Sequence, residues 1–394
     1  MERFLDFNFK KEAKLLPLFL NQSFRGVAVS LLSLFSSIYI YKTLFDLTGQ
    51  EKIALLSVYI YYLSAYGFKF ISNLFAEELS LRLGLKKQIY IGLFLAAICL
   101  GLLVLSLKWP LLLFLASPFW GLSTGFYWFG CHGMMVKVGR DGAFGKEIGM
   151  LGMISTLVLL GVPFLGGVLI KLAGYQALFG ASLFFVGLAA LSSISMKEEK
   201  TRHDTCMAEV FQLFKAHKRP FLAYVGDTMG GIIYGVVIPL YLFLILKKEL
   251  SLGEFFSLSM IVVAIINLFI GRWVDVRGKT GLIVYGSILQ VLAWSARIIT
   301  RSVGVLFTLD ILDRVTGGMV AIPMNVTSYE KAIEDHSTGR AVLFRELAIT
   351  IGGMLTCGLL IIWALLEIEL KWVFLIGALS SLLPILVVKR KDEN

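Results

Sequence analysis

Charge is scarce in this chain. Of its 394 residues, 16% are Asp, Glu, Lys or Arg, against about a quarter in a soluble domain. That excludes an ordinary water-facing surface. Cysteine is scarce too, with four in the whole chain. Cys99, Cys131 and Cys357 lie in apolar runs, Cys206 lies in a polar loop, and no Cys-x-x-Cys spacing occurs. The four histidines are scattered. Neither a disulfide framework, a metal site nor any other cofactor is expected. A cleavable signal sequence is not expected either. The opening MERFLDFNFKKEAK mixes Phe, Leu and Lys and reads as an interfacial, cytoplasmic lead-in.

What the chain does have is apolar length. It is 57% hydrophobic with a mean hydropathy of +0.81. Runs of about 20 apolar residues recur, enough to cross a hydrocarbon core of about 30 Å. Twelve spans are predicted, at about 16–45, 52–76, 88–107, 110–136, 147–171, 174–195, 220–246, 254–272, 281–302, 303–329, 341–366 and 370–388. The longest polar interruption, 196–219, divides them into six and six. The expected organisation is an N-terminal six-helix bundle over 1–195, a cytoplasmic linker over 196–219 and a C-terminal six-helix bundle over 220–394.

The net charge of +10 does not call for nucleic acid, because Lys and Arg mark the cytoplasmic loops of a membrane protein. With the N-terminus inside, the cytoplasmic segments hold 25 Lys and Arg and the outer segments hold 8. The bias places both termini in the cytoplasm and the chain in the cytoplasmic membrane, as a multi-pass protein.

One polar island, GRWVDVRGK at 271–279, falls in the turn between spans 8 and 9. The corresponding turn of the first half reads EELSLRLGLKK, 77–87. Aligning Gly84 with Gly278 also aligns Asp141 with Asp335, Gly145 with Gly339 and Lys146 with Arg340. Matching landmarks in two six-span halves indicate an internal duplication.

These residues resemble the major facilitator superfamily. Its turn motif, Gly-x-x-x-Asp-Arg-x-Gly-Arg/Lys, is matched by Gly271, Asp275, Gly278 and Lys279, with Val276 in place of the usual Arg and Arg277 one position on. The first-half copy departs further, with Leu81 where Asp is expected and Glu77 where Gly is expected. GVPFLGG at 161–167 resembles a span 5 motif of the same superfamily, in which Gly161, Gly166 and Gly167 permit close helix approach and Pro163 kinks the span. YWFGCHGMM and SYEKAIEDHSTGRAVLFRE are similar to uncharacterised bacterial members.

The resemblance implies an all-α membrane protein of twelve helices in two pseudo-symmetric bundles. It further implies a transporter that rocks about a cavity between spans 1, 4, 7 and 10, with protons as the expected coupling ion. Asp275 would latch onto the start of span 5, with Arg277 and Lys279 beside it. Glu77 or Glu78 would take that role in the first half, or these turns serve topology alone.

The faces of the cavity spans supply the ligand candidates. Gln22 and Ser33 share a face of span 1, with Arg25 beside it. Trp120, Thr124, Trp128 and His132 recur every four residues in span 4, and Asp227, Tyr234 and Tyr241 form a stripe on span 7. Span 10 adds Asp310, Asp313, Arg314 and Asn325.

A charge near mid-span costs about 2.5–3.5 kcal/mol on insertion scales. Arg25 is therefore expected either to pair with Asp227 or to snorkel to the interface. Arg297 and Asp310 are expected to form a structural salt bridge, and Arg345 and Glu346 a gate contact with span 2. Trp128 either stacks on a ligand or packs helices, and His132 either carries a proton or sits at the interface.

The mixture of charges favours transport of a small amphiphilic or zwitterionic solute, or drug-like efflux, by a monomer embedded in the lipid bilayer. A lipid or lipid-linked saccharide flippase is the alternative on the same fold. A membrane-embedded enzyme fits poorly, since His132 has no Asp or Glu at a helical neighbour position.

Overall fold

The apolar runs become helices. The computed structural model describes residues 16–138, 158–200, 212, 214–215, 217–334 and 338–387, with the side chains at 136, 138, 265–280, 322, 325–334 and 338–341 left undescribed. The elements are α1 (Leu16–Thr48), α2 (Glu51–Leu83), α3 (Leu85–Ser106), α4 (Leu112–Val138), α5 (Val162–Ser192), α6 (Lys218–Ile232), a π-helical turn (Ile233–Val237), α7 (Ile238–Leu246), α8 (Glu249–Ile299), α9 (Val303–Glu334), α10 (Thr338–Leu365) and α11 (Phe374–Ser380). Short 3-10 segments flank α11 at Leu370–Val373 and Leu383–Val387. No strand occurs among the described residues. Hydrocarbon offers no partner for a backbone N–H or C=O, so the spanning segments satisfy their own. Among the described residues, eight helical segments are long and apolar enough to cross a membrane.

Two helices each contain two spans. Non-helical dihedrals at Ala173 and Gly174 break α5. The α8 backbone is helical for 51 residues, about 77 Å if straight and more than twice a hydrocarbon core. Yet Ser259 on α8 bonds Asp310, while Arg297, also on α8, pairs with Asp313 one turn along α9. A straight helix would hold residues 259 and 297 about 57 Å apart. The α8 segment therefore doubles back between them, and α6, the π turn and α7 make one pass. The helices thus fit the twelve-pass arrangement.

Two expected turns are narrower than the sequence suggested. The α2 helix continues past residue 76 to Leu83, because no breaker intervenes and Arg82 and Glu78 pair at i,i+4 (2.5 Å). Only Gly84, at φ +97°, separates it from α3. Leu85 N there donates to Glu199 O (2.7 Å) and Lys86 N to Glu198 Oε1 (2.8 Å). A Cβ on Gly84 would displace the Glu198 carboxylate, and the left-handed dihedral itself favours glycine. The 271–279 segment is likewise helical in its backbone.

The helices α3 and α2 pack on α4, α1 packs on α5, and α9 packs on α8. The most extensive seams between residues before 196 and residues after 217 are α2 against α10 and α5 against α8, and α4 also meets α10 and α1 meets α7. Gly167 lies at the second seam, where a Cβ would come 2.9 Å from Leu250 Cα. Gly166 faces Phe35, Pro163 is the second residue of α5, and Gly161 precedes that helix with open space around it. The Gly84 end and the Gly49 end of the molecule serve below as its two poles.

Candidate functional site

A cavity of about 180 Å³ lies among α1, α2, α4 and α6, lined by Ser33, Tyr61, Tyr62, Tyr66, Trp120 and Gly231 among others. Tyr62 and Tyr66 are one helical turn apart and present successive rings. Tyr66 has room because residue 353 on α10 is glycine, whose missing Cβ would meet the ring. The π turn Ile233–Val237 begins just past Gly231, and such turns often mark functional sites. The three tyrosines escaped the sequence reading, although YIYYLSAY at 59–66 carried the signal.

Towards the Gly84 end on the same helices, Arg25 is buried with its guanidinium carbon 3.8 Å from the Tyr127 ring centroid and 5.4 Å from that of Trp128. Tyr127 is itself held in place. Its hydroxyl donates to Asn21 Oδ1 (2.6 Å), while Asn21 Nδ2 donates to Ala189 O and Ser193 Oγ, both at 2.7 Å. The expected Arg25–Asp227 pair does not form, because Arg25 turns onto the α4 rings. Desolvated cation–π contacts supply about 2 kcal/mol, less than the mid-span cost of about 2.5–3.5 kcal/mol. Its Nε and Nη2 atoms are buried with no hydrogen-bond partner.

Trp128 stacks on His132 at 5.2 Å and 19°. His132 in turn belongs to a charged cluster between α2, α4 and α10. Lys69 Nζ lies 3.0 Å from Glu346 Oε2, Arg345 Nη1 lies 3.1 Å from His132 Nε2, and Glu346 Oε1 lies 3.6 Å from the same nitrogen. Asn73 Nδ2 adds bonds to Glu346 O (3.3 Å) and Thr350 Oγ1 (3.1 Å). Arginine only donates, so the short contact makes His132 Nε2 an acceptor on a neutral ring. A proton there would oppose Arg345 and favour Glu346.

The second half handles charge differently. Arg297 pairs with Asp313 (3.2 Å) and Arg314 with Asp310 (2.9 Å). This corrects the expected Arg297–Asp310 pairing. Besides Arg314, Asp310 accepts from Tyr234 (2.8 Å) and from Ser259, so both of its oxygens are engaged. A second cavity, of about 260 Å³, is bordered by Asp227, Tyr234, Asp313, Arg314, Gln290 and Trp294.

Tyr241 belongs to a third space, about 520 Å³, at the Gly49 end, where Lys42–Glu249 (2.6 Å) and Lys52–Glu367 (2.8 Å) join the halves. Lys52 holds the exposed Glu367 carboxyl below its usual value.

The candidates that the spans suggested are thus spread over three spaces rather than one. Ser33 and Trp120 reach the central cavity, whereas Gln22 lies beside Cys131. Thr124 donates to its own helix at Trp120 O (2.6 Å). Glu77 is buried, and Glu78 is spent on Arg82. The side chains of Asp275, Arg277, Lys279 and Asn325, and the start of span 5 that Asp275 would meet, lie outside the described residues. No group of His, Cys, Asp and Glu suited to a metal occurs among the described residues.

The family model described as Major Facilitator Superfamily matches residues 18–213, about half of the chain. The chain belongs to the major facilitator superfamily. Solved members of that fold superpose over nearly its full length. The human organic anion transporter MFSD10 (TETRAN) gives a TM-score of 0.68 at 15% identity, covering 96% of this chain and 99% of its own. A D-xylose-proton symporter gives 0.72 at 13%, covering 94% and 96%. An auto-inhibited peptide transporter of the POT family gives 0.71 at 11%, covering 95% of each chain. At these identities the superfamily likeness concerns the fold. The uncharacterised protein YqgE of Bacillus subtilis (strain 168) is 22% identical over 294 residues, 70% of this chain and 67% of its own.

Proposed function

We propose that this superfamily member is a secondary active transporter. It moves a small organic solute through the cavity among α1, α2, α4 and α6 by alternating access. The observation that carries this reading is the position of the cavity between two sets of cross-half charge contacts. Lys69–Glu346 and Arg345–His132 lie towards the Gly84 end, and Lys42–Glu249 and Lys52–Glu367 lie at the Gly49 end. Opening either pole separates its own cross-half contacts, these ion pairs among them, while the other pole stays shut.

In this reading the Gly84 end is cytoplasmic, both termini lie on the cytoplasmic side of the membrane, and residues 1–195 and 220–394 rock against each other. The transporter works as a monomer. Solute flux is coupled to protons, with His132 exchanging its partner between Arg345 and Glu346. Asp275 latches the closed state. The neighbours named for organic anions, D-xylose and peptides support a small-solute cargo without choosing one.

The test is distance measurement between spin labels in nanodiscs, with one pair at Arg82 and Lys218 on the Gly84 end and another at Thr48 and Leu366 on the Gly49 end. Alternating access expects the two distances to change in opposite senses when Glu346→Gln removes a gate contact. Parallel changes, or none, would reject it.

A further inference from the structure

We propose that Arg25 is the anchor for an anionic group on the transported solute, a carboxylate or phosphate joined to a small flat or apolar body. This rests on the transporter reading and specifies its cargo.

The argument starts from what Arg25 lacks. Three cations on the described helices are buried, Arg25, Lys69 and Arg297. Lys69 has Glu346 at 3.0 Å and Arg297 has Asp313 at 3.2 Å. Among the described residues, no carboxylate lies within ion-pair distance of Arg25. Its Nε and Nη2 atoms have no acceptor, although the side chain is only 3% exposed. Nε and a terminal nitrogen form the planar fork that takes a carboxylate or phosphate through two parallel bonds. The aromatic faces lie under the guanidinium, and that edge has no acceptor of its own. The platform is rigid, because Asn21 ties the Tyr127 hydroxyl to the backbone at Ala189.

Helical register then connects the fork to the cavity. Arg25, Leu32 and Ser36 stand at i, i+7 and i+11 on α1 and so share one face. Leu32 and Ser36 line the central cavity. On α4, Tyr127 and Trp120 are likewise seven residues apart, and Trp120 lines the same cavity. Seven residues are about 10 Å of helix. A solute whose anionic group sat on Arg25 would extend along these two faces towards Trp120, Tyr62 and Tyr66. Those rings suit a flat or apolar body. An inorganic anion would satisfy the fork but leave the rings unused.

The binding signal should reach the gate. The Trp128 ring lies near the Arg25 guanidinium and stacks on His132, and His132 meets Arg345 and Glu346. Drawing the guanidinium off its platform frees Trp128 and with it the His132 contact.

Thermal unfolding of the full-length protein in nanodiscs tests the anchor, with benzoate, phenyl phosphate, benzamide and dihexanoylphosphatidic acid as probes. Ligands of the folded state raise the melting temperature by mass action. The expected result is a saturable rise with benzoate or phenyl phosphate and none with benzamide. Arg25→Gln should weaken that response at least tenfold, Arg25→Lys should retain part of it, and Trp120→Ala should reduce it.

A rise with benzamide equal to that with benzoate, lost in Trp120→Ala, would overturn the anchor while leaving the transporter cavity standing. A response to the lipid probe alone would overturn the soluble cargo and favour lipid transport. No response to any probe would overturn the anchor, and opposed movements of the spin-label pairs would still uphold alternating access. A sharp fall in the melting temperature of unliganded Arg25→Gln would make Arg25 structural and overturn the proposal.

Discussion

The first half of the chain buries Arg25 on aromatic rings, whereas the second half buries Arg297 and half-buries Arg314 on carboxylates. Both arrangements place a guanidinium inside a membrane span. The second is closed: Asp310 receives Arg314, Tyr234 and Ser259, and Asp313 receives Arg297. The first leaves two nitrogens without acceptors. A closed network holds helices in register, and an open one reserves its donors for something that arrives. The difference separates structural charge from binding charge within one fold.

The most damaging way to break the contrast is at Asp310. Replacing one partner of a buried ion pair costs about 3–5 kcal/mol, because the other charge is left uncompensated. Asp310→Ala is therefore expected to lower unfolding stability by about that amount, read as a lower melting temperature in detergent. A loss below about 1 kcal/mol would mean that water enters the network.

A smaller effect is expected at the aromatic cavity. Gly353→Ala forces a methyl group into the Tyr66 ring, and overpacking of this kind costs about 1–3 kcal/mol. Melting temperature and probe binding should fall together. Wild-type values for both would show that Tyr66 can move aside freely.

Arg25→Met sharpens the comparison from the other side. It removes a cation with no carboxylate partner, so stability should stay the same or rise by about 1 kcal/mol. Arg297→Met should do the opposite by stranding Asp313. Equal losses in the two variants would erase the distinction between the networks.

The smallest effect belongs to Glu78. Its pair with Arg82 is solvent-exposed, and such i,i+4 pairs contribute about 0.3–0.5 kcal/mol. Glu78→Ala should leave the melting temperature within about one degree. A larger drop would mean that Glu78, rather than its neighbours, holds the turn at Gly84.

Much of the architecture was legible in the residues. Apolar run lengths located the spans, and the Gly84 and Gly278 landmarks suggested the repeat. The site was less legible. Tyr61, Tyr62 and Tyr66 lie on span 2, outside the four spans expected to carry ligand residues, and Tyr66 has room beside the cavity because residue 353 of α10 is glycine. Glu198 and Glu199 looked like part of a charged linker, yet they cap the start of α3. Tyr127 lay off the i+4 row of Trp120, Thr124, Trp128 and His132. It nonetheless supplies the platform for Arg25.

The sequence by itself determined a helical membrane protein, because long apolar runs in hydrocarbon must satisfy their own backbone hydrogen bonds. It also determined which faces carry polar groups, through helical periodicity. Only the tertiary structure decided which charge meets which. Asp310, Asp313 and Arg314 crowd one stretch of α9, and register along a single helix leaves their partners open. The approach of α8 gave Arg297 to Asp313 and Ser259 to Asp310. The approach of α4 gave Arg25 two rings and no carboxylate. Ion-pair energy changes within a few ångströms, a scale set by helix packing rather than by residue order.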